Sequence, residues 1–264
     1  MTREASIIEL AEWLQTPTGQ YLLAWERQRI DAAVADMFGF HALQLGLPEL
    51  PALAANRVPH RWLALDSLST PTPTPTPKVE GIGASLHCEF DALPFASASL
   101  DLIVLPHALE LARDPHQTVR EAERVLRPEG RLVITGLNPA SLWGVRQNLG
   151  RLRQRNRKLF LPRAGEFIGY WRLRDWLRLL GCEVESAQFG CYAPPLRSEE
   201  WLQRWRWIEG VGSRWWPVLG AVYFITAVKR VPGMRLIGLA KKTKHRGQSA
   251  PAVAMHHHHH HKKK

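Results

Sequence analysis

The apolar positions of this chain fall into short blocks whose period changes along its length. Residues 4–14 and 19–38 repeat apolar side chains at helical spacing. In the second block Leu22, Leu23, Ile30, Val34 and Met37 share a face, and Gly39 is placed to end the helix. Two apolar runs follow, His41 to Leu47 and Arg61 to Leu65, the latter closing on Asp66. Ala84 to Phe90 reads as a strand and Leu100 to Leu105 as a fully buried one. Asp114-Pro115 then offers an N-cap and a first-turn proline, with Gln117 at the reciprocal capping position. The helix they open carries Val119, Ala122, Val125 and Leu126 on one face. Pro128-Glu129-Gly130 turns the chain into a further strand, Arg131 to Thr135. Strand, helix, strand in this order is a βαβ unit, which requires a parallel pair and a right-handed crossover.

Beyond it the pattern predicts a helix from Arg172 to Leu180 ended by Gly181, then strands from Glu183 to Phe189 and Ala221 to Lys229. Met234 to Ala240 is the last stretch expected to be ordered. Ser69 to Pro77 alternates prolines, which neither donate to a sheet nor continue a helix, so it reads as a stiff extended loop. No internal repeat is visible. The expected organisation is a helical segment at 1–38, an α/β domain at 39–240 with long insertions at 138–170 and 192–218, and a basic tail at 241–264.

Composition adds bounds to this picture. With 264 residues, 45% of them hydrophobic and 22% charged, the chain can bury a full core. Its first residues, MTREASIIELAEWL, mix acids with apolar side chains and do not read as a signal peptide. The nearest approach to a bilayer-length apolar run, Trp215 to Val228, is broken by Pro217 and Gly220. Cys88, Cys182 and Cys191 are odd in number and lack metal-ligand spacing, so no metal site is expected and a reducing cytoplasmic setting is. The formal charge is +11, of which the three lysines closing the tag-like segment Met255 to Lys264 supply +3, leaving +8. That excess favours anionic partners without choosing among them.

The densest signal is Cys88 to Gly136, CEFDALPFASASLDLIVLPHALELARDPHQTVREAERVLRPEGRLVITG. An acidic residue, LPF, S-L-D on a buried strand, an H-x-L-E element and E-x-x-R-V-L-x-P-x-G before an apolar strand resemble class I S-adenosylmethionine-dependent methyltransferases of the type 11 branch. The resemblance implies a doubly wound, mostly parallel seven-stranded sheet with S-adenosylmethionine as cofactor. It places Glu89 where a carboxylate accepts from the adenine amine, with Asp91 as the alternative acceptor and Phe90 and Leu93 walling the ring. Pro106 and His107 fall in the loop beside the sulfonium. There His107 would orient the substrate or accept its proton, or else simply hydrogen-bond backbone. Asp66, ending the second strand, stands where an acid pairs with ribose hydroxyls.

The glycine-rich turn departs from the family pattern. Gly46 keeps the first glycine, Gln44 replaces the usual acid, and Pro48 replaces the second glycine, removing an N–H where backbone should approach the cofactor. Either the turn binds in a modified way or the domain has kept the fold without the cofactor. A small-molecule or lipid-like acceptor is expected for the enzyme. The alternative is a non-catalytic module for RNA, an anionic membrane surface or a protein. Two segments bear on that choice. The run from Arg146 to Arg163 contains no acid, and Trp201 to Trp216 concentrates five tryptophans among arginines. Each also reads as ordinary structure, a solvated helix face in one case and a self-packed lid in the other.

Overall fold

The computed structural model describes residues 3–66, 82–153, 161, 167–195, 199–205 and 207–230, and within these the side chains of 3–8, 150–153, 199, 201 and 203 are not described. The proline-rich stretch and Met234 to Ala240 lie outside the described residues. Residues 1–231 form one compact unit.

Two helices come first, α1 (Arg3–Leu14) and α2 (Pro17–Val34). Thr16 caps the second, its hydroxyl accepting from Gly19 N at 3.2 Å, with Pro17 in the first turn. The helix stops at Val34, well short of Gly39. The reason is tertiary: the buried Asn56 amide donates to the carbonyls of Val34 (2.6 Å) and Met37 (3.0 Å), so the freed helix-end acceptors are met from another segment.

Five strands then follow: β1 (His41–Leu45), β2 (His60–Asp66), β3 (Ala84–Cys88), β4 (Leu100–Pro106) and β5 (Leu126–Leu137). Between the last two lie α3 (Ala108–Leu111) and α4 (Pro115–Val125). Asp114 caps α4 as its sequence requires, accepting from Gln117 N at 3.0 Å. The 138–170 insertion opens with α5 (Leu142–Arg153). Then come α6 (Tyr170–Leu179) and β6 (Cys182–Gly190). The 192–218 insertion holds α7 (Glu199–Arg204), α8 (Ile208–Trp215) and a 3₁₀ turn at Pro217–Leu219, which leads into β7 (Val222–Lys229).

The strands form a single sheet in the order β3-β2-β1-β4-β5-β7-β6. All pairs are parallel except those made by β7, which runs antiparallel to both neighbours. The order reverses between β1 and β4, the switch point at whose carboxyl edge open α/β sheets bind ligands.

Strand alternation builds two cores. On β4, Leu102 and Val104 join one layer with Leu22, Ile30 and Val34 of α2. Ile103 and Leu105 join the other with Val119, Ala122 and Val125 of α4 and Leu173 and Leu177 of α6. A strand buried on both faces is a continuous apolar run, which is how β4 could be read from sequence. The edge strands β3 and β6 expose polar side chains instead, Glu183 and Glu185 among them.

Candidate functional site

The first three strands end together at one rim of the sheet, and a cavity opens there with an empty volume of about 680 Å³. Gly46, Leu47, Pro48 and Glu49 after β1, Leu65 and Asp66 ending β2, Phe90 after β3, Leu111 of α3, and Leu10 and Ala11 of α1 line it. Pro48 is part of the wall and leaves the space open.

The turn after β1 has its own logic. Gly46 takes φ +69°, a left-handed conformation that glycine adopts freely, and its N–H reaches Ala64 O at 2.7 Å. Gln44 is fully buried, and its amide fixes the turn. Nε2 donates to the carbonyls of Gly46 (3.1 Å), Leu47 (2.9 Å) and Leu50 (2.8 Å), while Oε1 accepts from Ala52 N (3.0 Å). An amide suits that set, because three of the four partners are acceptors and a carboxylate has nothing to donate. The expectation that Gln44 meets the cofactor is therefore corrected. Every polar atom it has faces the loop, and it does not line the cavity.

The other expected residues divide in the same way. Gly46, Asp66 and Phe90 line the cavity together. Leu93 and Pro106 are buried and do not line it. Glu89 is exposed immediately before Phe90, and Asp91 is half-buried just after it. Leu93 belongs to a loop tied to α4. Arg124 donates to the carbonyls of Leu93 (3.0 Å) and Phe95 (3.1 Å), and Glu121 accepts from Leu93 N (3.2 Å) and pairs with Arg124. The E-x-x-R pair is thus a clamp on the LPF loop. Arg124 holds the Glu121 carboxyl below its ordinary range, outweighing its partial burial.

His107 requires a second correction. Only 1% of it is exposed, it adopts φ 52°, and it sits between two acids: Nδ1 lies 2.8 Å from Glu110 Oε2 and Nε2 lies 3.0 Å from Glu26 Oε1. Glu26 comes from α2 and is itself fully buried; the second oxygen of Glu110 accepts from Leu137 N. Burial pushes the imidazole pKa down, but the two carboxylates outweigh it and hold it well above the ordinary value. A ring buried between two acids, with Nδ1 bonded to Glu110, offers no open nitrogen to the rim cavity, which it does not line. The physical reason is α2, which covers the loop after β4 and whose acid no local pattern connects to His107.

Sequence reasoning also missed the wall supplied by α1. Leu10 and Ala11 gave only an amphipathic helix, and nothing in them named the rim they would cover. Of the arginines and lysine in the run from Arg146 to Arg163, only Arg146 has a described side chain, which donates to Pro195 O. Among the described residues no group of three or more His, Cys, Asp or Glu is placed to hold a metal ion. No helix among them is long and apolar enough to cross a membrane.

Comparison with known proteins agrees with this architecture. Residues 52–134 match the family described as a methyltransferase domain, type 11, a match that begins just past the altered glycine turn. The uncharacterized protein YafS of Escherichia coli is 33% identical over 177 residues, spanning 66% of this chain and 66% of that protein. A malonyl-[acyl-carrier protein] O-methyltransferase of Coxiella burnetii is 43% identical over 54 residues, 20% of this chain and 19% of that protein. The chain thus spans about two thirds of the length of one relative and a fifth of the other.

Among solved structures, a chain from the complex between the Haloferax volcanii Trm112 methyltransferase activator and a methyltransferase superposes with a TM-score of 0.55. It is 17% identical, over 85% of this chain and 97% of that one. A Thermotoga maritima S-adenosylmethionine-dependent methyltransferase gives 0.51 at 15% identity, over 80% and 92%. These likenesses establish the fold. The seven-stranded order is thus that of solved S-adenosylmethionine-dependent methyltransferases, and residues 52–134 are similar to the methyltransferase domain family.

Proposed function

We propose that the rim cavity binds S-adenosylmethionine and that the protein transfers its methyl group to a small-molecule or lipid-like acceptor. The observation that carries this reading is the meeting of Gly46, Asp66 and Phe90 in one open cavity at the ends of three adjacent strands. The residues suit the cofactor's parts. Asp66, 3% exposed at the end of β2, offers a carboxylate to ribose hydroxyls. Phe90 offers a flat apolar wall to adenine, with exposed Glu89 beside it as acceptor for the ring's amine. The turn at Gly46 presents backbone without a side chain. Leu10, Leu47, Leu65 and Leu111 exclude water from the remainder.

The sulfonium supplies an already activated methyl group when bound. What is asked of the chain is positioning and exclusion of water rather than a proton-transfer triad. This agrees with a His107 that is committed to Glu26 and Glu110. The three buried, free cysteines fit a cytoplasmic, reducing compartment.

Calorimetric titration with S-adenosylmethionine tests the assignment. Micromolar binding is expected, and Asp66→Asn should weaken it about tenfold to a hundredfold, as for loss of charge-assisted hydrogen bonds worth about 1.5–3 kcal/mol. Glu89→Ala should weaken it less, since that carboxylate is solvated. Absent or millimolar binding by the unaltered protein would overturn the reading and leave the non-catalytic module in its place.

A further inference from the structure

Seven of the twelve large apolar side chains that are exposed among the described residues belong to the two insertions, and Leu219 directly follows the second. We propose that this face is a docking surface for an anionic lipid bilayer, an inference that does not depend on the cofactor assignment.

On α5, Leu142, Val145 and Leu149 point outward, Leu149 with 57% of its surface exposed. Their spacing of three and four residues puts them on one helix face. The opposite, buried face carries Trp143, Gly144 and the polar Gln147, which is locked to both backbone groups of Leu161 at 2.9 and 3.0 Å. The helix therefore carries apolar side chains on its exposed face as well as on its buried one. The second insertion repeats the feature with Trp207, Trp215, Trp216 and Val218, followed by Leu219, and Trp215 is 70% exposed.

The two sets are held in register with each other. β5 runs into α5 and the 3₁₀ turn runs into β7, and those strands pair at Leu137 and Val222. Asn138 Nδ2 donates to Val218 O (2.7 Å) and Gly220 O (2.9 Å). The 192–195 loop joins them again, since Trp143 Nε1 donates to Ala193 O (2.8 Å) and Tyr192 OH to Pro217 O (2.7 Å). Both lie at the carboxyl edge of the parallel strands, the edge that holds the rim cavity.

Charge selects the occupant. Arg146, Arg204 and Arg214 are exposed around the apolar groups. Glu209 accepts from Tyr192 N (2.7 Å) and from the Tyr21 hydroxyl, and Glu200 is an exposed acid on α7 among the described side chains. Tryptophan and arginine favour the headgroup region, and leucine and valine the acyl boundary beneath it. The tryptophans would suit either partner, but the aliphatic stripe of Leu142, Val145 and Leu149 offers a nucleobase nothing to stack on or bond to, so a bilayer fits the whole face better than RNA does.

Co-sedimentation of the full chain with vesicles, without cofactor, tests the proposal. The comparison is between phosphatidylcholine alone and a mixture containing roughly a third phosphatidylglycerol, whose negative potential should draw the arginines. Binding is expected to the anionic vesicles. It should persist in part at about 1 M salt, where screening acts within about 3 Å. Brominated acyl chains should quench tryptophan emission. Val145→Ser with Leu149→Ser, and Trp215→Ser with Trp216→Ser, should each weaken binding about tenfold with unchanged unfolding midpoints. Trp171→Ser, exposed on α6, should have no effect.

The proposal is overturned if neither double variant differs from the unaltered protein, or if anionic vesicles are not bound. It is also overturned if salt abolishes binding entirely while single-stranded RNA binds with a steep salt slope, or if the face proves to be covered by a second copy in solution.

Discussion

Replacing His107 with Gln should cost more stability than replacing Glu26 with Gln, although both changes strike the same buried cluster. The imidazolium attracts two carboxylates at 2.8 and 3.0 Å, each worth about 5–6 kcal/mol at an effective dielectric constant near 20. Most of that gain offsets the cost of burying three charges. With His107→Gln, two acids at 0% and 4% exposure are left in the core with no cation between them. A loss of about 3–5 kcal/mol is expected, as for breaking a buried pair. Glu26→Gln removes one attraction but also one buried charge and the repulsion between the acids. His107 and Glu110 remain a neutral pair, so about 1–3 kcal/mol is expected.

The pH dependence separates the two variants further. The folded-state pKa of His107 is raised above its ordinary 6.5, so the cluster contributes fully below that value. The contribution declines as pH rises toward and through the folded pKa. The unaltered protein should therefore lose up to about 1.4 kcal/mol per pH unit above about pH 6.5. Urea unfolding at several values up to about pH 8.5 reads this slope, below the range in which the cysteines of the unfolded chain titrate. His107→Gln should flatten it. A variant that kept the full slope, or that cost less than Glu26→Gln, would refute a charged His107.

Gln44→Glu, which restores the family's usual acid, should destabilise the protein by at least about 3 kcal/mol in denaturant unfolding, because a carboxylate would face three carbonyl oxygens with nothing to donate. Gly46→Ala should cost about 1–2 kcal/mol through its backbone angle, since the added Cβ meets Phe90 at an ordinary 3.4 Å; Gly46→Asn should cost less. Burial pushes the thiols of Cys88 and Cys182 up to about 11 and that of Cys191 well above its ordinary value. Iodoacetamide at about pH 8 should therefore label the native protein slowly and the urea-unfolded protein quickly, as mass spectrometry would show.

The sequence by itself determined the elements whose signals are local. The βαβ core was legible because a strand buried on both faces must be continuously apolar, as Leu102 to Leu105 is. A helix start needs a side-chain acceptor, and Asp114 supplies one. The apolar runs of β1, β2 and β3 were legible too, and it was the family resemblance that named Gly46, Asp66 and Phe90 before they were seen to share a cavity. What the tertiary structure alone decided depends on contacts between distant segments. Val34 ends its helix because Asn56 reaches its carbonyl, and α1 walls the cavity because the chain folds back over the rim. Gln44 serves the loop because Leu50 and Ala52 return to it. His107 is sealed between two acids because Glu26, far away in sequence, is packed onto it. A residue's type fixes the bonds it can make, but its partners are chosen by the packing that brings remote segments together.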